Sequence, residues 1–323
     1  RLEGSKAFMK KLCRDFNIPT ARSKEIKSSN NIKNILKNFK LPIVVKSDGL
    51  AAGKGVTICK SKEKAIRDIK EILRGKFKSS KKVIVEEFLS GKEASYFVIT
   101  DGKNYFPIGT AQDHKRIGEK DTGPNTGGMG AYSPSRLDSA SLNKKIIKKI
   151  IIPTFQGLEE LKTKFIGFLY AGLMIVRGEP YLIEYNVRMG DPECQTILPK
   201  LKTDFLDIID SCVKKNLENV ELKWDEKKSL CVVLCAKGYP ENYRNNLEIK
   251  NLNKIKLKKN EYIFHAGTKI NNSQIVSNGG RVLNFVVVSK KFSESRSKAL
   301  NLIKQINWSN GFFRKDIGYK VIK

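Results

Sequence analysis

The sequence predicts an α/β (α+β) protein with more than one domain. Three observations predict it. Short apolar runs that alternate faces recur between glycine-rich turns. Amphipathic stretches of helical period lie between those runs. A charged linker over 222–228 separates a longer first part from a smaller α+β part. With 323 residues and 40% apolar content, the chain has room for two or three domains and a sizeable core.

Residues 3–17, EGSKAFMKKLCRDFN, place Phe8, Leu12 and Phe16 every four residues, the stripe of a short helix that Ile18-Pro19-Thr20 ends. The chain opens at Arg1, without an initiator Met and at what reads as the start of a helix, so a missing N-terminal portion is expected. Residues 20–40 read as a polar turn and a weak helix over 32–39. Over 41–60, LPIVVKSDGLAAGKGVTICK, a strand (43–46) enters a turn and a second strand (56–59) leaves it. Gly49, Gly53 and Gly55 allow backbone amides close to a ligand, and Lys46 and Lys54 bracket the turn. A phosphate cradle and a plain hairpin fit this stretch equally well. The GxxxxGK[ST] spacing is absent, and a strand follows instead of a helix, so it is no Walker A loop.

Residues 61–75 carry the helical stripe Ala65, Ile66, Ile69, Ile72 and Leu73, with Gly75 suited to the C-terminal cap. Over 83–99 two strands flank Ser90-Gly91. Glu86, Glu87 and Glu93 lie near an apolar run, where a purine would suit Phe88, Leu89 and the backbone there and ribose would suit Glu93, while the pattern alone favours a hairpin with solvated glutamates. Residues 110–134, TAQDHKRIGEKDTGPNTGGMGAYSP, read as a long polar loop, and loops of that length are usually functional or disordered. Its His114 reads as a surface residue, although Asp113-His114-Lys115-Arg116 would suit closure over an anion. A helix is expected over 140–162.

The stretch GFLYAGLMIVRGEPYLIEYNVRMGDPE, 167–193, reads as two strands joined by a turn at 176–180. Strict alternation sends Tyr181, Ile183 and Tyr185 one way and Leu182, Glu184 and Asn186 the other. Glu184 and Asn186 then share a face at a strand end, with Arg188 and Asp191 beyond. A carboxylate and an amide oxygen side by side suit a hard cation such as Mg²⁺ that keeps part of its shell for phosphate. Ordinary polar decoration of a strand end is the plain alternative. A helix over 204–213 follows, then the linker. Strands are expected near 230–236, 261–265 and 281–289, and a helix over 293–306.

Charge and cysteines narrow the classes. The net charge of +29 raises nucleic-acid binding, but the lysines are spread along the chain instead of forming one arm with interleaved aromatics, so no nucleic-acid partner is expected. A basic surface still attracts phosphorylated substrates. No apolar run reaches the ~20 residues of a membrane helix. The six cysteines form no CxxC pair and read as buried thiols of a reducing compartment.

The stretches LEGSKAF, VVKSDGLAAGKGV, VEEFLSGKEAS, QDHKRIGEKDTGPNTGGMGAYSP, GFLYAGLMI, IEYNVRMGDPE, HAGT, NGGRVL and RKDIGY together resemble the phosphoribosylamine–glycine ligase (glycinamide ribonucleotide synthetase) family, ATP-grasp enzymes of purine synthesis. They occur in the family's order over essentially the whole chain. The resemblance implies an ATP-grasp core (1–19 and 84–222), a small lid subdomain (20–83) and a C-terminal α+β domain (223–323). It implies that Lys46 and Lys54 bind the phosphates of ATP, that Glu86, Phe88 and Leu89 hold adenine, and that Glu93 holds ribose. Glu184 and Asn186 would bind Mg²⁺ or Mn²⁺, Arg188 would stabilise the transferring phosphoryl group, and Asp191 would lie near the amine. The implied reaction joins glycine to 5-phosphoribosylamine through glycyl phosphate, in a cytoplasmic monomer. Another ATP-grasp carboxylate–amine ligase, or an ATP-binding fragment without full activity, is the alternative. Two departures stand out. The family normally opens with a Rossmann-like domain bearing a GxGGREH-type turn, and residues 1–323 contain no such turn. The strand 172–175 also offers no further carboxylate for a metal.

Overall fold

A computed structural model describes residues 1–51, 55–77, 82–306 and 308–322. The chain forms two compact units, one of Arg1–Phe106 with Leu137–Arg188, the other of Pro107–Arg136 with Met189–Lys323.

The first unit contains two sets of strands. In one, Ser23–Ile26, Val83–Glu87, Ile43–Ser47 and Val56–Cys59 lie in that order, all antiparallel. Helix Lys62–Leu73 packs on them. Ser61 starts that helix by accepting from the Lys64 N–H, and Gly75, at φ +99°, follows its end. Ile69 and Ile72 bury fully against Ile43, Val45 and Val85, which contributes roughly 1.5–3 kcal/mol per side chain. In the other set, Glu179–Asn186, Gly167–Val176 and Lys92–Thr100 lie side by side, antiparallel. Helix Lys6–Asp15 and the helical run 140–160 close their core around Met9, Leu12, Ile150, Leu169 and Tyr185.

Three expectations change here. The strands flanking Ser90-Gly91 are no hairpin: Val83–Glu87 and Lys92–Thr100 pair into different sheets. Gly91 passes so close to the Ile175 carbonyl that a Cβ would lie 2.5 Å from it. The 140–162 helix is interrupted by a π-helical turn, Ile147–Ile151, just before Pro153, which has no N–H to donate to the preceding turn. The strict alternation over 181–186 also fails. Gly172 pairs with Glu184 but Leu173 with Leu182, so Ile183 is an extra residue, a β-bulge. The bulge resets the phase, and Leu182 and Tyr185 enter the same core. Glu184 and Asn186 lie beyond the bulge and stay two residues apart, on the face opposite Tyr185.

In the second unit the strand order is Tyr105–Asp113, Gly130–Ser133, Lys228–Ala236, Arg281–Ser289 and Glu261–His265, each antiparallel to the next. Helix Phe292–Ile306 covers the two central strands, and its Leu302 and Ile303 join Val232, Leu234, Phe285 and Val287 in the core. The stretch 110–134 is not a loop throughout. It carries the end of one strand, the hairpin Arg116–Gly118/Thr122–Asn125 and the strand Gly130–Ser133. These strands are short and polar, so periodicity could not reveal them. No described helix is long and apolar enough to cross a membrane.

Candidate active site

The first unit assembles its charged groups from neighbouring strands. On Ile43–Ser47, Ile43 and Val45 point into the apolar core, so Lys46 points to the other face. On Val83–Glu87 the same alternation puts Val83 and Val85 in the core and Glu86 beside Lys46. Lys46 Nζ lies 2.9 Å from Glu86 Oε2 and donates to the carbonyl of Ile183 at 3.3 Å. The bulge residue thus ties Lys46 to the strand that carries Glu184. Glu86 is also paired with Lys10, whose Nζ stands 3.2 Å from Oε1 and donates to Thr20 Oγ1 (2.7 Å) and the Ala21 carbonyl (2.9 Å). All three ions of this cluster are buried, and burial pulls the Lys10 ammonium below its ordinary range.

Helix Lys6–Asp15 adds to the same face. Ser5 and the Ala7 N–H both donate to Asp48, and Lys6 Nζ donates to the Gly49 carbonyl at 3.0 Å. The glycine-rich turn is thereby fastened to the helix start. Burial lowers the Lys6 pKa, while Glu184, Asp48 and Glu86 oppose that shift and Lys46 adds to it. Three ammonium groups (Lys6, Lys10, Lys46) therefore face three carboxylates (Asp48, Glu86, Glu184). Sequence reasoning missed Lys6, Lys10 and Asp48. The signal lay in LEGSKAFMK, whose Ser5 caps the helix and whose Lys6 and Lys10 share a helical face.

Glu184 and Asn186 stand as expected, on one face and two residues apart. Gly172, opposite Glu184, leaves its side chain room: a Cβ there would lie 3.1 Å from Glu184 Cγ. Arg188 donates to Asn186 Oδ1 at 3.4 Å and pairs with Glu3 at 3.2 Å. Among the described residues no group of three His, Cys, Asp or Glu could hold a metal. An oxygen pair alone fits a hard divalent ion that completes its shell with phosphate and water, and does not fit a metal needing a closed protein cage. Phe88 is 40% exposed and Glu93 exposed, both near the crossing between the two sheets. Lys54 lies outside the described residues.

The second unit gathers a different set. Asp191 pairs with Arg281 (2.8 Å) and accepts from Gln195 Nε2 (2.9 Å). Arg281 also donates to the carbonyls of Asp191 and Gly127. The Gly127 N–H donates to the Tyr239 hydroxyl at 2.8 Å. A Cβ at Gly128, φ +118°, would lie 2.8 Å from Asp113 Oδ1, an atom that is itself buried without a hydrogen-bond partner among the described residues. Burial and then the neighbouring Glu193 carboxylate push the Asp113 carboxyl far above its ordinary range. Asp113 was singled out from sequence only as part of Asp113-His114-Lys115-Arg116, and Glu193 and Arg281 not at all, because the three come from distant segments. His114 is no surface residue. It is fully buried, its Nε2 accepts the Gly318 N–H at 3.2 Å, and burial lowers its pKa to about 4.

Residues 4–194 match the family described as phosphoribosylglycinamide synthetase, ATP-grasp (A) domain, and residues 229–320 match its C domain. The chain belongs to this family. The ATP-grasp fold expected from the resemblance is therefore the fold of this chain. It is 42% identical to the phosphoribosylamine–glycine ligase of Brucella melitensis, over its whole length and 76% of the relative. The chloroplastic ligase of Arabidopsis thaliana is 44% identical over the whole chain and 62% of that protein. The crystal structure of the Thermotoga maritima ligase superimposes with a TM-score of 0.88 at 33% identity, covering 98% of this chain and 79% of that one.

Proposed function

We propose that the chain is an ATP-dependent ligase that joins glycine to 5-phosphoribosylamine, giving glycinamide ribonucleotide, ADP and phosphate. One observation supports this above the others: Lys46, a phosphate-binding candidate, reaches the carbonyl next to Glu184, the metal-binding candidate. Nucleotide phosphates and a divalent ion would then meet where the two sets of strands of the first unit come together. A carboxylate oxygen of glycine attacks the γ-phosphorus and the bond to ADP breaks. The phosphoribosylamine nitrogen then attacks the acyl carbon of glycyl phosphate, phosphate leaves, and the amine gives up a proton.

Lys46 and Lys6, with Lys54, bind and orient the phosphates. Glu86, expected at adenine, instead anchors Lys46, since both its oxygens face lysines, while Phe88 and Leu89 offer the apolar surface for adenine and Glu93 takes the ribose. Glu184 and Asn186 would hold Mg²⁺ or Mn²⁺, which when bound neutralises phosphate charge. Arg188 meets the transferring phosphoryl group, and Asp191 with Arg281 orients the amine or amino acid. Segment 20–83 acts as a lid on a core of 1–19 and 84–222, and 223–323 forms the C-terminal domain. Positioning and charge neutralisation supply the rate, and lid closure keeps water from the acyl phosphate. We assign the chain to the cytoplasm as a monomer.

The test is ADP release with glycine and freshly made phosphoribosylamine. Glu184→Gln keeps the shape but loses the charge, and is expected to cost on the order of 10³-fold or more in turnover with the fold unchanged. Turnover near that of the parent would remove Glu184 from the metal site. Lys54→Ala is expected to weaken ATP binding.

A further inference from the structure

The motif RKDIGYK near the C-terminus has no part in the reaction as described, yet its Arg314 is the largest side chain buried to under 2% exposure. Every arm of its guanidinium is used. Nη1 donates to Asp121 Oδ1 (2.9 Å) and to the Arg116 carbonyl (3.0 Å), while Nε and Nη2 grip Asp316, both at 2.8 Å. Asp121 takes two more donors from the same motif, the Tyr319 hydroxyl and the Lys320 ammonium. Asp316 in turn accepts the backbone N–H of Lys120 at 2.7 Å.

The segment held in this way is strained. Lys120 and Asp121 are consecutive non-glycine residues in the left-handed region, at φ 54° and 58°. Such a conformation persists only where the surroundings over-determine it, and it concentrates at functional sites. The strained pair forms the tip of the hairpin Arg116–Gly118/Thr122–Asn125. On one side the hairpin runs back to Asp113. On the other it runs into Thr126-Gly127-Gly128, which Tyr239 and Arg281 meet. A second tie from the same motif, the Gly318 N–H to His114, holds the residue next to Asp113.

We infer that Arg314 is a positioning residue for the ligase reaction: it locks the 116–125 hairpin so that Asp113 and Gly127–Gly128 meet Asp191 and Arg281 in one fixed geometry. This rests on the ligase reading for its chemistry but on the hydrogen bonds alone for its geometry. A planar five-donor fork does what lysine cannot, because it satisfies two carboxylates and a carbonyl at once.

The experiment compares the unaltered chain with Arg314→Met, Arg314→Lys and the milder Lys320→Met. Amide hydrogen exchange over 113–130 is expected to quicken in all three, with protection kept in Lys228–Ala236 and Arg281–Ser289. In steady state the KM for glycine or phosphoribosylamine is expected to rise on the order of tenfold in Arg314→Met, with the KM for ATP within about twofold. Arg314→Lys is expected to restore little of it. Loss of protection throughout the second unit, or equal losses toward all three substrates, would make Arg314 a general structural residue and overturn the inference. So would unchanged exchange over 113–130. If the unaltered chain shows no turnover, the ligase reading falls, and the exchange measurement still decides whether Arg314 orders the hairpin.

Discussion

The two units build their polar clusters in opposite ways. In the first, Lys46, Glu86, Glu184 and Asn186 hang from strands whose alternation, reset once at the Ile183 bulge, sets their direction. In the second, Asp113, Gly127, Asp191, Tyr239 and Arg281 converge from segments far apart in the chain. A strand site needs only the right residue at the right parity. A convergent site needs a separate device to hold its backbone, and here the buried Arg314 network meets that need. Damage to the first should therefore be local and electrostatic, whereas damage to the second should spread through the backbone.

The largest test falls on the buried ions. Glu86→Ala leaves Lys10 and Lys46 buried without their carboxylate, and is expected to cost about 3–5 kcal/mol in denaturant unfolding. Adding Lys10→Met should recover part of that loss, and strictly additive losses would show that the two groups do not act as a pair. Next comes pH. His114 is held neutral in the folded chain with a pKa near 4, below the ~6.5 of an unfolded chain. Between those values the unfolded state binds more protons, so stability is full above about pH 6.5 and falls toward pH 4, by up to about 3 kcal/mol. His114→Gln, which keeps an acceptor for the Gly318 N–H, should flatten that part of the profile, and an unchanged slope would assign it to other groups.

Smaller effects sharpen the contrast. Gly172→Ala sets a Cβ against Glu184 Cγ and should raise the Mg²⁺ concentration needed for half-maximal turnover a few-fold, at about 1 kcal/mol or less in stability. A metal dependence identical to that of the parent would mean that Glu184 moves freely. At the surface, Glu179 pairs with Lys145 and Lys149, both at 2.6 Å. Glu179→Gln should leave the melting temperature essentially unmoved, since exposed pairs are screened and pay side-chain entropy. A clear loss there would show that charge at the surface matters as much as charge inside.

The helix stripe Ala65–Ile69–Ile72, the strand 43–47, and the shared face of Glu184 and Asn186 were legible because short-range periodicity carries them. The bulge at Ile183 was not, because a bulge is set by the partner strand, and it moved Leu182 to the other face. Local sequence gives Lys10 no distinction from its lysine neighbours, and only Glu86, 76 residues on, makes it a buried ion. The hairpin over 116–125 was hidden for a related reason. Its stability comes from Arg314 and Asp316, not from apolar alternation.

By itself the sequence determined the alternation of strands and helices, the mixed α/β class, the family, and which residue types stand at strand ends. Those properties depend on neighbours a few positions away, where side-chain period and chain geometry act directly. Only the tertiary structure decided which ions are buried and paired, that His114 is neutral, and how Asp113 meets Arg281. Desolvation and charge pairing depend on what lies within a few ångströms in space, and chain folding brings those groups together from residues that sequence spacing leaves unrelated.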